Sequence, residues 1–96
     1  GYPDDEGILL NGGRPGAALG PDAIRQIFYK MTPSLSNQKK VFIKDQGNIN
    51  PDLPLEVKHQ KALEQVQELL AQQQRVITLG GGHDYGFPDS YAFHLQ

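Results

Sequence analysis

The stretch Arg75-Val76-Ile77-Thr78-Leu79-Gly80-Gly81-Gly82-His83-Asp84 decides how the rest of the chain is read. Its first five residues have the β-branched, apolar composition of a buried strand, and the three glycines end it. Immediately upstream, Ala62, Leu63, Val66, Leu69 and Leu70 recur at helical spacing, with Gln, Glu and Lys on the outer face. A helix is therefore predicted over about 55–74. His59 lies one turn before Ala62 on that stripe and reads as a helix-edge histidine packed against core. Further upstream, Val41-Phe42-Ile43 between Lys40 and Lys44 predicts a strand over about 40–45, followed by a turn-rich link through Pro51. Strand, long helix, strand is the pattern of a right-handed βαβ unit. The predicted fold class is α/β, a partial three-layer α/β/α sandwich with parallel strands.

Toward the N-terminus, a helix is predicted over about 21–32. Pro21 suits a first turn because its missing N–H would be unpaired there, and Asp22 complements the positive end of the helix dipole. Ile24, Ile27, Phe28 and Met31 fall on one face at i, i+3, i+4 and i+7 and read as core. Pro33 ends the helix, since the residue before proline avoids helical geometry. Residues 1–20 read as a Gly-rich loop. No repeat or low-complexity tract divides the chain, so 1–96 reads as one unit. Gly1-Tyr2-Pro3 opens in turn chemistry and Tyr91 to Gln96 stops inside an apolar-rich segment, so a piece of a larger domain is expected.

Composition excludes several classes of partner. Nine basic and eleven acidic residues give a net charge of −2 with no basic stripe, which argues against nucleic acid. The apolar runs fall far short of the roughly 20 residues that span a bilayer. Without cysteine there is neither a disulfide framework nor a thiolate metal site. A cytoplasmic protein is expected.

In parallel α/β sheets, ligands bind beyond the carboxyl ends of the strands, which is where Gly80 to Asp84 would lie. Glycines let the backbone turn sharply, and the first side chains after them are an imidazole and a carboxylate. Neutral imidazole is a common ligand of divalent transition metals, and carboxylate suits harder ions such as manganese. From spacing alone, His83 reads equally as a metal ligand or as a hydrogen-bonding cap of a tight turn. Asp84 reads equally as a group that orients a ligand or as a turn carboxylate.

Three segments together resemble the ureohydrolase superfamily of arginases, agmatinases and formiminoglutamases. The first is Gly1-Tyr2-Pro3-Asp4-Asp5-Glu6-Gly7, continued by Asn11-Gly12-Gly13-Arg14-Pro15-Gly16-Ala17 and Gly20-Pro21-Asp22-Ala23-Ile24-Arg25. The second is Asp45-Gln46-Gly47-Asn48-Ile49, in which Asn48 stands where the family pattern has an acid. The third is Val76 to Asp84, similar to the strand and turn that supply the family's first metal-binding histidine. Gly80-Gly81-Gly82-His83-Asp84 and Asn11-Gly12-Gly13-Arg14 are most like formiminoglutamases, whereas arginases usually show Gly-Gly-Asp-His-Ser at the turn.

The resemblance implies the N-terminal part of a binuclear manganese hydrolase that cleaves a C–N bond in a guanidino or formimino substrate. In such enzymes two metals ionise a bridging water that attacks the trigonal carbon. It assigns His83 as a metal ligand, while the family's aspartate-rich ligand segments do not occur here. No catalytic residue and no retained manganese are therefore expected in this chain alone. Asn11 and Arg14 would lie in a loop near the active-site mouth. Arg14 could fork onto a substrate carboxylate, or pair with Asp4, Asp5 or Glu6 to pin the loop. Homo-oligomerisation or self-association that buries Phe87, Tyr91 and Phe93 is also expected. The alternative is a non-catalytic α/β protein-interaction module related to the ureohydrolases.

Overall fold

A computed structural model describes residues 1–31 and 42–95. Among these residues there are four α-helices, α1 (Glu6–Leu10), α2 (Gly20–Phe28), α3 (Leu55–Ala71) and α4 (Gly86–His94). Short 3-10 turns, Ala17–Leu19 and His83–Tyr85, lead into α2 and α4. Helix α3 packs along α4, and α1 meets the His83–Tyr85 turn.

The expected parallel α/β sandwich is corrected by this architecture: no strand occurs among the described residues. A β-branched run becomes a strand only when neighbours pair its backbone and cover its faces. Among the described residues segment 75–79 has no strand paired to it, and Ile77 is 86% exposed. Its end is tied to the opening residues by one bond, Tyr2 N–H to the Leu79 carbonyl at 2.8 Å. On the other side Ile49 N–H reaches the Gly1 carbonyl at 3.0 Å. Single bonds of this kind hold segments together without making a ladder. Of the strand expected over 40–45, residues 40 and 41 lie outside the described residues, while Phe42 and Ile43 are exposed and unpaired in any strand.

The helices follow local chemistry. Helix α2 has Pro21 in its first turn and stops at Phe28, short of 32, with Met31 N–H turning back to Phe28. Its apolar face is not core: Ile24, Ile27, Phe28 and Met31 are exposed among the described residues. Helix α3 stops at Ala71, short of 74, in a C-terminal lock. Gln73 takes a left-handed φ of 59°, its N–H bonds to the Leu70 carbonyl at 2.9 Å, and Gln74 N–H bonds to Leu69 at 3.2 Å. This is the Schellman pattern, with glutamine where glycine is usual. Helix α4 was not expected, although Pro88 and Asp89 repeat in its first turn the chemistry of Pro21 and Asp22.

The buried centre is small. Tyr2, Ala62 and Tyr85 form it, with Ile49 packed against them; Val66 and Ala92 are also buried. The Tyr2 and Tyr85 rings stack with centroids 4.4 Å apart, and His59 meets Tyr85 edge-on at 4.8 Å. His59 is thus packed against core, in keeping with its place on the α3 stripe.

Candidate functional site

The Gly80–Asp84 turn lies against the opening loop because glycine allows it. A Cβ on Gly81 would fall 2.7 Å from the Asp4 carbonyl oxygen and closer still to that of Tyr2. Gly82 N–H then donates to the Asp4 carbonyl at 3.3 Å, and Tyr85 N–H to the Gly82 carbonyl at 3.2 Å.

Beneath the turn is a buried polar network. Lys58 of α3 is 2% exposed and Asp4 is 5% exposed. The Lys58 ammonium meets Asp4 Oδ1 and Glu6 Oε2, each at 2.8 Å, and donates to the Pro51 carbonyl at 3.3 Å. The Glu6 contact is an ion pair without hydrogen-bond alignment, since Oε2 is buried and lacks a partner of suitable geometry. Asp4 Oδ1 also accepts the Glu6 N–H at 3.0 Å, and Asp4 Oδ2 accepts the Tyr85 hydroxyl. Burial pushes the Asp4 carboxyl up, but hydrogen bonds from Lys58, Tyr85 and the Glu6 N–H outweigh it and hold it below its ordinary value. Burial likewise pushes Lys58 down, and its two carboxylate partners overcome that and raise it. Burial first, and then the bond to Asp4, raise the Tyr85 phenol.

The turn is also held from the side. Asp84 Oδ2 lies 2.6 Å from His59 Nε2, and a Cβ on Gly7 would collide with the Asp84 carboxylate. Asp89 of α4 accepts the Tyr2 hydroxyl at 2.6 Å and the Thr78 hydroxyl at 2.9 Å, so the segment leading into the turn is tied as well.

His83 itself is exposed; its carbonyl accepts the Gly86 N–H, and none of the described hydrogen bonds, ion pairs or ring contacts involves its side chain. Its imidazole is a free donor on an anchored turn, and its chemistry suits one position of a metal site. A metal ion needs more: among the described residues no three His, Cys, Asp or Glu side chains gather closely enough to hold one. Asp84, paired with His59, is engaged in holding the turn. Asn11 and Arg14 are exposed on the loop after α1, and no described ion pair reaches Arg14. The three neighbouring carboxylates that could pair with it are engaged elsewhere. Asp4 and Glu6 face Lys58, and Asp5 accepts the N–H groups of Gly16 and Ala18, each at 2.9 Å.

A second network joins two of the quoted segments. Arg25 of α2 forks onto Asp45 through Nε at 2.9 Å and its terminal nitrogen at 3.0 Å. It also donates to Asn48 Oδ1 at 2.5 Å and to the Gly47 carbonyl at 3.0 Å. Asn48 is thus an uncharged acceptor for Arg25, which is what an amide in place of an acid can still provide.

With this geometry in hand, the family profile described as "Arginase family" matches residues 1–96, the whole chain. The chain belongs to the arginase family. Within that family it resembles the formimidoylglutamase of Salmonella paratyphi A, 39% identical over 88 residues, 91% of this chain and 27% of the relative. The formimidoylglutamase of Salmonella paratyphi B shares the same identity and coverage, and that of Salmonella typhi is 38% identical over the same share. The arginase-family chain therefore spans about a quarter of the length of these curated relatives. No solved structure matches it. No helix among its described residues is long and apolar enough to cross a membrane.

Reasoning from sequence misses Lys58 and Tyr85, and offers Asp4 to Arg14 where the structure pairs it with Lys58. The helical pattern puts lysine on the outer face of α3, whereas Lys58 lies on the buried face with Ala62 and Val66. The i, i+4, i+8 spacing of those three positions is the signal that could have found it.

Proposed function

We propose that the protein to which this chain belongs is a manganese-dependent hydrolase of the cytoplasm that cleaves a C–N bond in a linear amidine. Formiminoglutamate is the first substrate, with agmatine and arginine next. The observation that carries this reading is the mount around His83. Residues 82, 84 and 85 are each tied to another part of the fold, and the imidazole between them has no described partner. A side chain left free on an otherwise fastened turn suits a ligand position better than a structural cap, which would have a partner of its own.

Manganese, when bound, would supply Lewis acidity and a hydroxide at neutral pH. His83 offers one donor to it, so the chain alone would be inactive and bind manganese weakly or not at all. Arg14, exposed and without a described ion pair, would fork onto the carboxylate of an amino-acid substrate, with Asn11 beside it. The relatives named formimidoylglutamase support the choice of substrate, as do the Gly82-His83-Asp84 turn and the Asn11-Gly12-Gly13-Arg14 loop. Self-association also belongs to this reading, supported by the exposed Phe87, Tyr91 and Phe93 and the exposed face of α2. Sedimentation as a clean monomer at high concentration would count against it.

The test is turnover. The full-length protein with manganese should release formamide from formiminoglutamate faster than it releases urea from agmatine or arginine. His83→Ala should lose the activity. No turnover of any amidine would sink the enzyme reading and favour a non-catalytic interaction module, to which the exposed apolar face of α2 is also suited.

A further inference from the structure

The turn that carries His83 is held by two consecutive residues of one helix. Asp4 grips it on both sides of the histidine: its carbonyl takes the Gly82 N–H at 3.3 Å, and its Oδ2 takes the Tyr85 hydroxyl. Asp4 is fixed in turn by Lys58, whose ammonium lies 2.8 Å from Oδ1. The next residue, His59, holds Asp84 at 2.6 Å. Successive helix positions point about 100° apart, so the two anchors approach the turn from different directions.

An ion pair is a poor choice for stability alone. Replacing a buried pair by apolar groups of similar volume is often neutral or stabilising. A pair does fix direction, because Asp4 must present one oxygen to Lys58 and the other to Tyr85. We propose that Lys58 is a positioning residue for His83: acting through Asp4 and Tyr85, it fixes the backbone on either side of the imidazole. The proposal rests on the reading of His83 as a metal ligand, and it predicts that metal affinity depends on a lysine that touches no metal.

The experiment uses the full-length protein and compares Lys58→Met, Tyr85→Phe and Val66→Ala with the parent. Tyr85→Phe removes one hydroxyl without unbalancing charge, so it serves if Lys58→Met does not fold. Val66 is buried about two turns along the same helix and outside the network, so it reports general destabilisation. Amide exchange is followed by mass spectrometry in the metal-free protein, and manganese affinity by competition with a chelator. Lys58→Met and Tyr85→Phe should speed exchange in residues 80–85 beyond any change in α3. They should also weaken manganese binding about tenfold or more, the range seen when groups behind a ligand are lost. Val66→Ala should speed exchange across the helices and leave manganese affinity within about twofold, since it touches none of the groups behind the ligand. Exchange at 80–85 that merely tracks Val66→Ala would overturn the proposal. So would unchanged manganese affinity in Lys58→Met and Tyr85→Phe when His83→Ala has lost the metal. Full manganese affinity in His83→Ala would instead overturn the ligand reading, and the exchange pattern would still decide whether Lys58 fixes the turn.

Discussion

Asp4→Asn removes one negative charge from the buried network and keeps its shape. The Glu6 N–H can still reach an amide oxygen, and the Tyr85 hydroxyl can rotate to accept from an amide nitrogen, so those two contacts survive the change. The loss falls on Lys58, whose contact at Oδ1 changes from a carboxylate to a neutral amide oxygen, leaving the unaligned Glu6 carboxylate as its remaining anionic partner beside the Pro51 carbonyl. Breaking a buried pair costs about 3–5 kcal/mol, and Glu6 offsets part of it, so about 2–3 kcal/mol is expected. The pH dependence has a definite sign. A carboxyl whose folded pKa lies below the unfolded value of about 3.9 stabilises above that value and loses the contribution as pH falls through its folded pKa. The gap between the parent and Asp4→Asn should therefore be full at pH 7 and close in acid below about pH 4. The raised Lys58 contributes fully below about 10.4 and loses its contribution as pH rises through its folded pKa, so the gap should persist on the mildly alkaline side. Urea unfolding of the chain at a series of pH values measures this directly. The stacked Tyr2–Tyr85 pair serves as the fluorescent probe in a protein without tryptophan. A gap below about 0.5 kcal/mol, the size of an ordinary surface substitution, would refute the reasoning. So would a gap that stays constant down to about pH 2.

Three further outcomes are expected. Gln73→Gly should stabilise the chain by about 0.5–1 kcal/mol in the same urea assay, because glycine takes the left-handed cap without strain; a loss of stability would show that the glutamine side chain matters more than its φ. Gly81→Ala should cost about 1–3 kcal/mol, since the new methyl group meets two backbone carbonyls that cannot swing away; a neutral result would mean that the opening loop does not press on the turn. The Asp45 carboxyl, held down to about 2 by the Tyr29 hydroxyl, the Gly47 N–H and Arg25, should titrate nearer its ordinary value in Tyr29→Phe, and carbon-detected NMR titration would read it. An unchanged titration would remove Tyr29 from the account.

The helices were largely legible in the sequence because their signals are local. Pro21 and Asp22 mark the start of α2, and the Ala62, Val66 and Leu69 spacing marks α3. Their ends were less so: α3 stops where Gln73 adopts a conformation that glutamine composition does not announce. Helix α4 is readable from Pro88-Asp89, but the residues from Tyr91 to Gln96 read only as an apolar-rich segment. The α/β reading failed for a different reason. Val76, Ile77 and Leu79 have strand composition, but strand formation depends on partners, and composition says nothing about whether those partners are present.

The candidate site divides along the same line. His83 could be picked out because three glycines before an imidazole are visible in one short window. Lys58 could not be picked out in that way, since a lysine among glutamines and glutamates reads as solvated surface. What overrides that reading is a pair of carboxylates at the opposite end of the sequence, Asp4 and Glu6, which follow the chain back to α3 and neutralise it. Burial of a cation is costly unless charge meets it. A lysine at i with Ala62 at i+4 and Val66 at i+8 therefore requires an acidic partner elsewhere in the chain. The opening loop, fixed by that requirement, lies where Gly81 lets it press against the turn, and the turn leaves one imidazole facing outward.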